Sequence, residues 1–150
     1  MKCGFSVIGI SIFLLILCSS FVPERESVLV NDVLQQTNKF RRSKGLPVLV
    51  LNQELSKIAA QHSANMAKGK VGFGHGGFDK RDAQARKKIK GITRFAENVA
   101  YGATSGQQVV GMWKKSRGHR KNMLGSYKYV GIGIAKDRKG RLYYTQVFAG

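Results

Sequence analysis

The last 21 residues of the chain carry the pattern that most restricts its fold. Val130, Ile132 and Ile134 alternate with glycine and alanine, and a charged turn follows at residues 136–140. Residues 142–148 alternate again and are rich in aromatic and β-branched side chains. A period of two is typical of strands whose two faces meet different surroundings. The pattern therefore predicts a β-hairpin at this end of the chain.

Helical patterns precede the hairpin. Asn31, Asn52 and Ser105 are favourable N-cap residues, and apolar residues recur at helical spacing after each of them. The last of these helices is expected to break at Gly118, and residues 69–95 are expected to form a glycine-rich loop with one short helix. Helices followed by an antiparallel hairpin predict an α+β fold in which helices pack on an antiparallel sheet.

The N-terminal segment predicts export. Lys2 is followed by an uncharged, largely apolar run at residues 4–17, which is shorter than the roughly 20 residues that a membrane-spanning helix needs. A secretory signal peptide over residues 1–20 fits this pattern, with cleavage before Phe21. Two alternatives are an uncleaved membrane anchor and lipid attachment at Cys18. Residues 21–30 are predicted to be a linker, and residues 31–150 a single domain.

Both cysteines, Cys3 and Cys18, lie inside this N-terminal segment. If the segment is removed, the mature chain has no cysteine and cannot form a disulfide. The exported domain must then be stabilised by its core alone. A chain of about 130 residues can do this, because it buries roughly two-thirds of its unfolded surface.

The formal net charge of +18 is high for 150 residues. Such a charge attracts anionic partners. No nucleic-acid-binding motif accompanies it, so envelope polymers and lipid head groups are the expected anions and nucleic acid is not. A solvated basic surface without a dedicated partner is the alternative interpretation.

Three residues are candidates for chemistry. His75 lies between glycines that would present its imidazole, Glu97 is the only acid in an apolar segment, and His119 follows the expected helix break. They could bind zinc with one open position, or supply a base and its orienting partner. They could equally form a hydrogen-bond network in which Glu97 joins two segments. His62 lies on an apolar helix face and is interpreted as a packed histidine. The sequence contains no HExxH, CxxC, GxSxG or Walker-type motif.

Taken together, these segments resemble the CAP superfamily, also called the SCP or PR-1-like domain, in its bacterial type. The resemblance covers residues 30–149 and depends on six segments that occur in the family's order. They are NKFRRSKGLPVL (38–49), the helix 51–66, HGGF (75–78), AENVAYG (96–102), WKKSRGHRKNML (113–124), and GIG (131–133) with YYTQVF (143–148).

The resemblance implies an α-β-α sandwich with a central antiparallel sheet and an open cleft lined by histidines and acids. His75 and Glu97 match the first histidine and the first glutamate of the family. Ser116 and Tyr143 stand where an acid and a histidine occur in animal and plant members, and His119 is expected to replace the missing histidine. The resemblance thus predicts a cleft lined by these five residues, with His75 and His119 as candidate zinc ligands.

Three functions follow as hypotheses. The first is a non-enzymatic binding module that holds a lipid, a sterol-like molecule or an envelope ligand in this cleft. The second is a metal-assisted hydrolase of peptide or envelope polymer, in which Glu97 acts as base. The third is a structural or adhesion domain. We expect the first, in a secreted, periplasmic or surface protein that associates with a membrane only if the N-terminal segment is retained or Cys18 is lipidated.

Overall fold

The computed structural model describes residues 24–150, so the predicted signal peptide and its cleavage site lie outside the described residues. Within residues 24–150, no helix combines the length and the apolar character that crossing a membrane requires. The elements, in chain order, are α1 (Glu24–Arg42), β1 (Val50–Leu51), α2 (Gln53–Ala67), α3 (Phe78–Lys88), β2 (Phe95–Tyr101), α4 (Gly106–Lys115), α5 (Arg117–Met123), β3 (Tyr129–Lys136) and β4 (Leu142–Ala149).

The strands form one sheet in the order β1-β3-β4-β2. β3 and β4 are the predicted hairpin, paired antiparallel from Lys136 opposite Leu142 onward. β2 pairs antiparallel with β4, with Glu97 opposite Val147, and forms one edge of the sheet. The two-residue strand β1 is parallel to β3. The three long strands are therefore antiparallel as expected, and β1 makes the sheet mixed.

Helices cover both faces of this sheet. On one face, Val33 of α1 and Trp113 of α4 pack with Phe148 and its neighbours in a large apolar cluster. On the other face, Leu55 of α2 and Ala85 of α3 pack in a second, smaller cluster. The predicted α+β sandwich is confirmed.

Two glycines of β3 determine how closely α2 approaches the sheet. A Cβ atom at Gly131 would lie 2.2 Å from the backbone carbon of Leu55, and one at Gly133 would lie 2.0 Å from the backbone nitrogen of Ala60. Real Cβ atoms do not approach other atoms this closely, so any side chain at either position would force α2 away. The glycines that alternate with apolar residues in the sequence thus allow the helix backbone to pack directly on the strand.

The predicted linker and the predicted start of the first helix are corrected here. α1 begins at Glu24 rather than near Asn31, so residues 24–30 are helical. Leu29 and Val30 pack against the larger apolar cluster. Their burial extends the helix about two turns before the cap that the sequence suggested.

The break between the last two helices lies at Ser116 and not at Gly118. Ser116 has an extended backbone (φ −89°, ψ 123°) and separates α4 from α5, whereas Gly118 lies inside α5. The other two predicted caps are confirmed, because the side chains of Asn52 and Ser105 accept hydrogen bonds from Leu55 and Gln108 respectively.

Candidate functional site

Glu97 lies near the middle of β2 and directs a fully buried carboxylate toward the face covered by α2 and α3. Arg81 of α3 binds both of its oxygens: Nε donates to Oε2 at 2.6 Å and Nη2 donates to Oε1 at 2.8 Å. Arg81 is itself buried. The pair has the two-pronged geometry in which arginine binds carboxylates most strongly, and it supplies the cation that a buried carboxylate requires.

His75 is presented to solvent by the loop that precedes α3. Its Nδ1 lies 2.9 Å from Oε1 of Glu97, and its side chain is 49% exposed. An ionised carboxylate can only accept, so the proton is on Nδ1 and the Nε2 atom is left for a ligand. Glu97 therefore fixes the orientation of the His75 ring.

The loop around His75 is held by the same arginine. Arg81 donates to the carbonyl of Gly76 at 2.8 Å and to the carbonyl of His75 at 3.3 Å. Gly74 and Gly77 have positive φ angles of 137° and 76°, which favour glycine at both ends of the short turn. One buried guanidinium thus holds the carboxylate and the loop in a single network.

His62 of α2 is the packed histidine that the sequence predicts, and it borders the same network. It is buried, its Nε2 lies 2.8 Å from the carbonyl of Gly74, and it is 4.0 Å from Oε1 of Glu97. Since a carbonyl only accepts, Nε2 is the donor. Burial is the main cause that lowers the pKa of His62 below its usual value, while the hydrogen bond to Gly74 acts in the opposite direction. His62 therefore helps to anchor the loop around His75 through its hydrogen bond to Gly74.

His119 reaches the site from α5. Its ring centroid lies 6.4 Å from that of His75, with the planes inclined at 49°. Burial, and next the nearby His75, lower the pKa of His119. Asn98 donates to the carbonyl of His119 at 3.2 Å, and Asn122 donates to the carbonyl of Glu97 and to Oδ1 of Asn98, each at 3.0 Å. These two asparagines join α5 to the free edge of β2.

The structure therefore brings His75, Glu97 and His119 together, and it adds residues that the sequence analysis missed. Arg81 looked like one of many surface cations on a charged helix. In the sequence, Arg81 is distinguished only by its position three residues after Phe78. That position places it in the first turn of the helix that follows the HGGF segment. We name His75, His119, Glu97 and Arg81 the His75 site.

Tyr143 belongs to an aromatic group on the same sheet face. Tyr101 stands four residues after Glu97 in β2 and stacks on Tyr143 with centroids 5.7 Å apart. Phe73, two residues before His75, meets Tyr101 edge-on at 4.7 Å. Phe73 is 51% exposed and Tyr101 43% exposed. We name Phe73, Tyr101 and Tyr143 the aromatic group.

Ser116 has a different role from the other predicted cleft residues. Its carbonyl accepts from Arg120, and its backbone N–H donates to the carbonyl of Trp113 at 3.3 Å. In the described part of the chain, no side-chain hydrogen bond connects Ser116 with the His75 site. Its described bonds form the junction between α4 and α5.

The donor set does not fit a three-ligand catalytic zinc site. Among residues 24–150, no three His, Cys, Asp or Glu side chains come together in a way that could hold a metal ion. Both oxygens of Glu97 already accept from Arg81. Two imidazoles on one tetrahedral zinc, with Zn–N bonds of about 2.1 Å, would have centroids roughly 5 Å apart, against 6.4 Å for His75 and His119.

A separate cavity lies on the opposite face of the sheet. It has a volume of about 670 Å³ and lies between the N-terminal end of α1 and the β3–β4 hairpin. Leu29 and Ile134, which line it, belong to the side of the larger apolar cluster. It is therefore distinct from the His75 site.

Comparison with known proteins identifies the family to which the chain belongs. The family model described as "Cysteine-rich secretory protein family" (CAP) matches residues 34–148. The chain is 32% identical over 131 residues to the uncharacterized protein YkwD of Bacillus subtilis, covering 85% of this chain and 49% of that protein. It spans between a third and a half of the length of the curated relatives it matches.

Two solved structures share the fold. A cysteine-rich secretory protein from Staphylococcus aureus superposes with a TM-score of 0.69 at 27% identity, over 84% of this chain and 39% of that one. An extracellular protein containing an SCP domain from Bacillus anthracis gives a TM-score of 0.68 at 26% identity, over 86% of this chain and 44% of that one. Both similarities cover nearly all of the described residues.

Proposed function

Because this chain belongs to the cysteine-rich secretory protein (CAP) family, we propose that it is an exported binding module whose ligand docks at the His75 site and the adjoining aromatic group. The observation that carries the proposal is the burial of the Glu97 carboxylate, which is 0% exposed and accepts three hydrogen bonds. Arg81 binds both oxygens and His75 shares one of them. Glu97 thus orients the imidazole of His75. An oriented imidazole serves ligand binding, whereas hydrolysis would also require an accessible base.

A general base must have an oxygen or nitrogen free to accept the proton it removes. Glu97 is buried behind His75 and has no exposed oxygen. The groups that face solvent are the His75 ring and, beside it, the rings of Phe73 and Tyr101. A ligand reaching this surface would meet the imidazole of His75, a patch of aromatic carbon and the guanidinium of Arg141, whose Cζ lies 5.3 Å from the Tyr101 ring centroid.

That combination suits an amphipathic ligand. Exposed aromatic rings remove apolar surface from water when a ligand covers them, and a nearby polar group fixes its orientation. Lipids, sterol-like molecules and envelope glycans all combine an apolar face with hydroxyl groups. We propose this ligand class, with a ligand hydroxyl donating to Nε2 of His75.

Export from the cytoplasm is part of the proposal. It is supported by the signal-like segment at residues 1–20 and by the similarity to the extracellular SCP-domain protein of Bacillus anthracis. Expression of the full chain in a bacterial host, followed by mass spectrometry of the secreted fraction, would give Phe21 as the first residue. An intact N-terminus, or a lipid-modified Cys18, would indicate that the protein is anchored to a membrane and not secreted.

The binding proposal is tested by screening lipids and envelope glycans with the wild-type protein and three variants. His75→Ala and Phe73→Ala should each weaken a retained ligand by at least about tenfold, as expected of central contact residues. The matched control is Val28→Ala, an exposed apolar residue on α1. The proposal fails if no ligand is retained above a basic protein of equal charge, or if all three variants behave alike.

Metal-assisted hydrolysis is the second candidate. Among residues 24–150 no third protein ligand stands beside His75 and His119, so zinc would have to bind through these two imidazoles alone, and one observation favours such binding. A carboxylate on Nδ1 of a histidine is the usual support for a metal-binding Nε2, and Glu97 provides it for His75. Calorimetric titration with zinc near neutral pH, repeated with His119→Ala, tests this candidate. Binding of one zinc per chain that is lost in the variant would favour it, and absence of stoichiometric binding would exclude it.

A further inference from the structure

The acidic residues of this chain are distributed unevenly. Residues 33–53 and residues 98–136 contain none of the eight Asp and Glu residues, yet they carry eleven of the 26 Lys and Arg residues. All acids lie in the remaining segments. The two acid-free stretches comprise most of α1, the loop after it, and α4, α5 and β3.

The fold brings the two stretches together at one end of the helical layer. α1 and α4 lie side by side in parallel. Asp32, in the middle of α1, accepts from the backbone of Gly106 at the start of α4 at 2.6 Å, and Nζ of Lys114 lies 5.0 Å from the ring centroid of Phe40 near the ends of both helices. Arg41 joins α5 to the same place, because its Nη1 donates to the carbonyl of Met123 at 2.8 Å.

Eight exposed cations surround this junction, and we name them the basic pole. Three lie on α5 at the spacing i, i+3, i+4, which places them on one side of that helix. His119 and Met123 occupy the opposite side, toward β2 and the core. The members are Lys39, Arg42, Lys44, Lys114, Lys115, Arg117, Arg120 and Lys121.

The basic pole differs from the other cationic helix, α3. There Arg86 pairs with Asp82 at 2.8 Å, and Lys88 lies 3.6 Å from Glu54. Among the side chains of residues 25–150, no carboxylate lies within ion-pair distance of any basic-pole cation. A cation in the last turn of a helix interacts favourably with the helix dipole, but this explains neither Arg117 in the first turn of α5 nor Lys44 beyond α1.

We propose that the basic pole binds a linear phosphate-bearing polymer of the cell envelope. Unpaired like charges on neighbouring helix ends repel one another and concentrate anions around them. A chain of regularly spaced phosphates contacts several of these cations at once and releases its own condensed counterions. Arg42, Arg117 and Arg120 add forked donors that match phosphate oxygens.

The chemistry of the surface distinguishes this polymer from nucleic acid. Proteins that bind single strands stack bases on exposed aromatic rings between their cations. Phe40 and Tyr127 lie near this junction, but both rings are partly buried against the larger apolar cluster, and Lys114 covers the ring of Phe40. The exposed aromatic rings Phe73 and Tyr101 belong to the aromatic group, beside the His75 site. The surface thus recognises charge without stacking.

The test uses the purified protein and fluorescently labelled inorganic polyphosphate, with binding measured by anisotropy between about 50 and 300 mM salt. The variant R117Q/R120Q/K121Q should bind at least about tenfold more weakly at 100 mM salt. The slope of log K against log salt should fall by about two, since each of the three lost phosphate contacts removes roughly 0.7 for a single-stranded polyanion. The matched control K80Q/K87Q/K88Q removes the same charge from α3 and should change affinity less than about threefold.

Equal losses in the two triple variants would overturn the proposal, because net charge and not position would then control binding. Tighter binding to a single-stranded oligonucleotide, or to vesicles containing anionic lipid, would also overturn it by identifying another partner. Circular dichroism and thermal melting check that each variant is folded. If the α5 variant unfolds, R42Q/K114Q/K115Q replaces it with the same expectation.

The envelope location depends on the proposed export, whereas binding to polyphosphate does not. The screen with His75→Ala and Phe73→Ala measures binding at the His75 site and the aromatic group, which share no residue with the basic pole. Failure of either experiment therefore leaves the other result unaffected.

Discussion

Glu97 and Tyr101 stand four residues apart on the same face of β2, and their side chains meet opposite surroundings. The carboxylate of Glu97 is fully buried and bound by Arg81 and His75. The ring of Tyr101 is 43% exposed, covered on one side by Tyr143 and meeting Phe73 at its edge. The hydrogen bonds around Glu97 fix the positions of Arg81 and His75, whereas the exposed part of the Tyr101 ring leaves apolar area that another molecule can cover.

The comparison shows how the two halves of the site depend on each other. The loop at residues 69–77 contributes His75 to the buried network and Phe73 to the aromatic group. Arg81 holds that loop through two carbonyls. We call the network of Glu97, Arg81 and His75 the buried half of the site and the aromatic group its exposed half. A substitution in the buried half should disturb both halves, while one in the exposed half should leave the network unchanged.

The largest effect is expected from Arg81→Met. The substitution leaves the Glu97 carboxylate buried without its cation, which should lower the free energy of unfolding by about 3–5 kcal/mol. Urea denaturation measures this loss. Arg86→Met on the same helix is the control, because its exposed pair with Asp82 should be worth less than about 1 kcal/mol. A loss no larger than the control's would mean that the buried network does not stabilise the loop.

Glu97→Gln should have an intermediate effect. The amide keeps the shape of the carboxylate but has one accepting oxygen in place of two, so an N–H that now donates to Glu97 loses its acceptor. For this loss of a charge-assisted hydrogen bond we expect a decrease of about 1.5–3 kcal/mol in the free energy of unfolding. Combined with Arg81→Met it should cost less than the sum of the two single changes, since no unpaired charge remains. Strict additivity in urea denaturation would contradict direct coupling between the two residues.

Elements held by local interactions could be predicted from the sequence, whereas elements that depend on distant contacts could not. The β3–β4 hairpin and the buried faces of the elements follow from the periodicity of apolar residues. The caps at Asn52 and Ser105 depend on hydrogen bonds to residues three positions away, so all of these features could be predicted from the sequence. The early start of α1 depends on Leu29 and Val30 packing against a distant cluster. No local pattern distinguishes that packing from a polar linker.

The candidate site divides in the same way. His75 and Glu97 could be recognised because glycines and apolar neighbours mark them locally, and the family pattern supported both. Arg81 could not, because its burial results from the angle between α3 and β2. The occupancy of Glu97, on which the choice between binding and catalysis depends, therefore emerged only from the structure.

The pH dependence of stability should report on the buried half. Burial lowers the pKa of His62 in the folded state, so below about pH 6.5 the unfolded chain takes up a proton that the folded chain resists. Stability should therefore be greatest above that pH and should fall as the pH decreases toward the lowered pKa. His62→Gln should reduce this slope in urea denaturation at pH 7, 6 and 5. The exposed Gln61→Ala is the control, and equal slopes in the three proteins would contradict the prediction.

The smallest effect on stability is expected in the exposed half. Phe73→Ala removes an edge-on contact with Tyr101 from a ring that is 51% exposed, and the loss should be below about 1 kcal/mol. Its effect on ligand binding should nevertheless be large, because the ring is part of the proposed contact area. Melting temperature and ligand affinity measured on the same preparation separate the two quantities. A melting temperature lowered as much as by Arg81→Met would show that Phe73 stabilises the loop, and the contrast between a structural half and a binding half would then be lost.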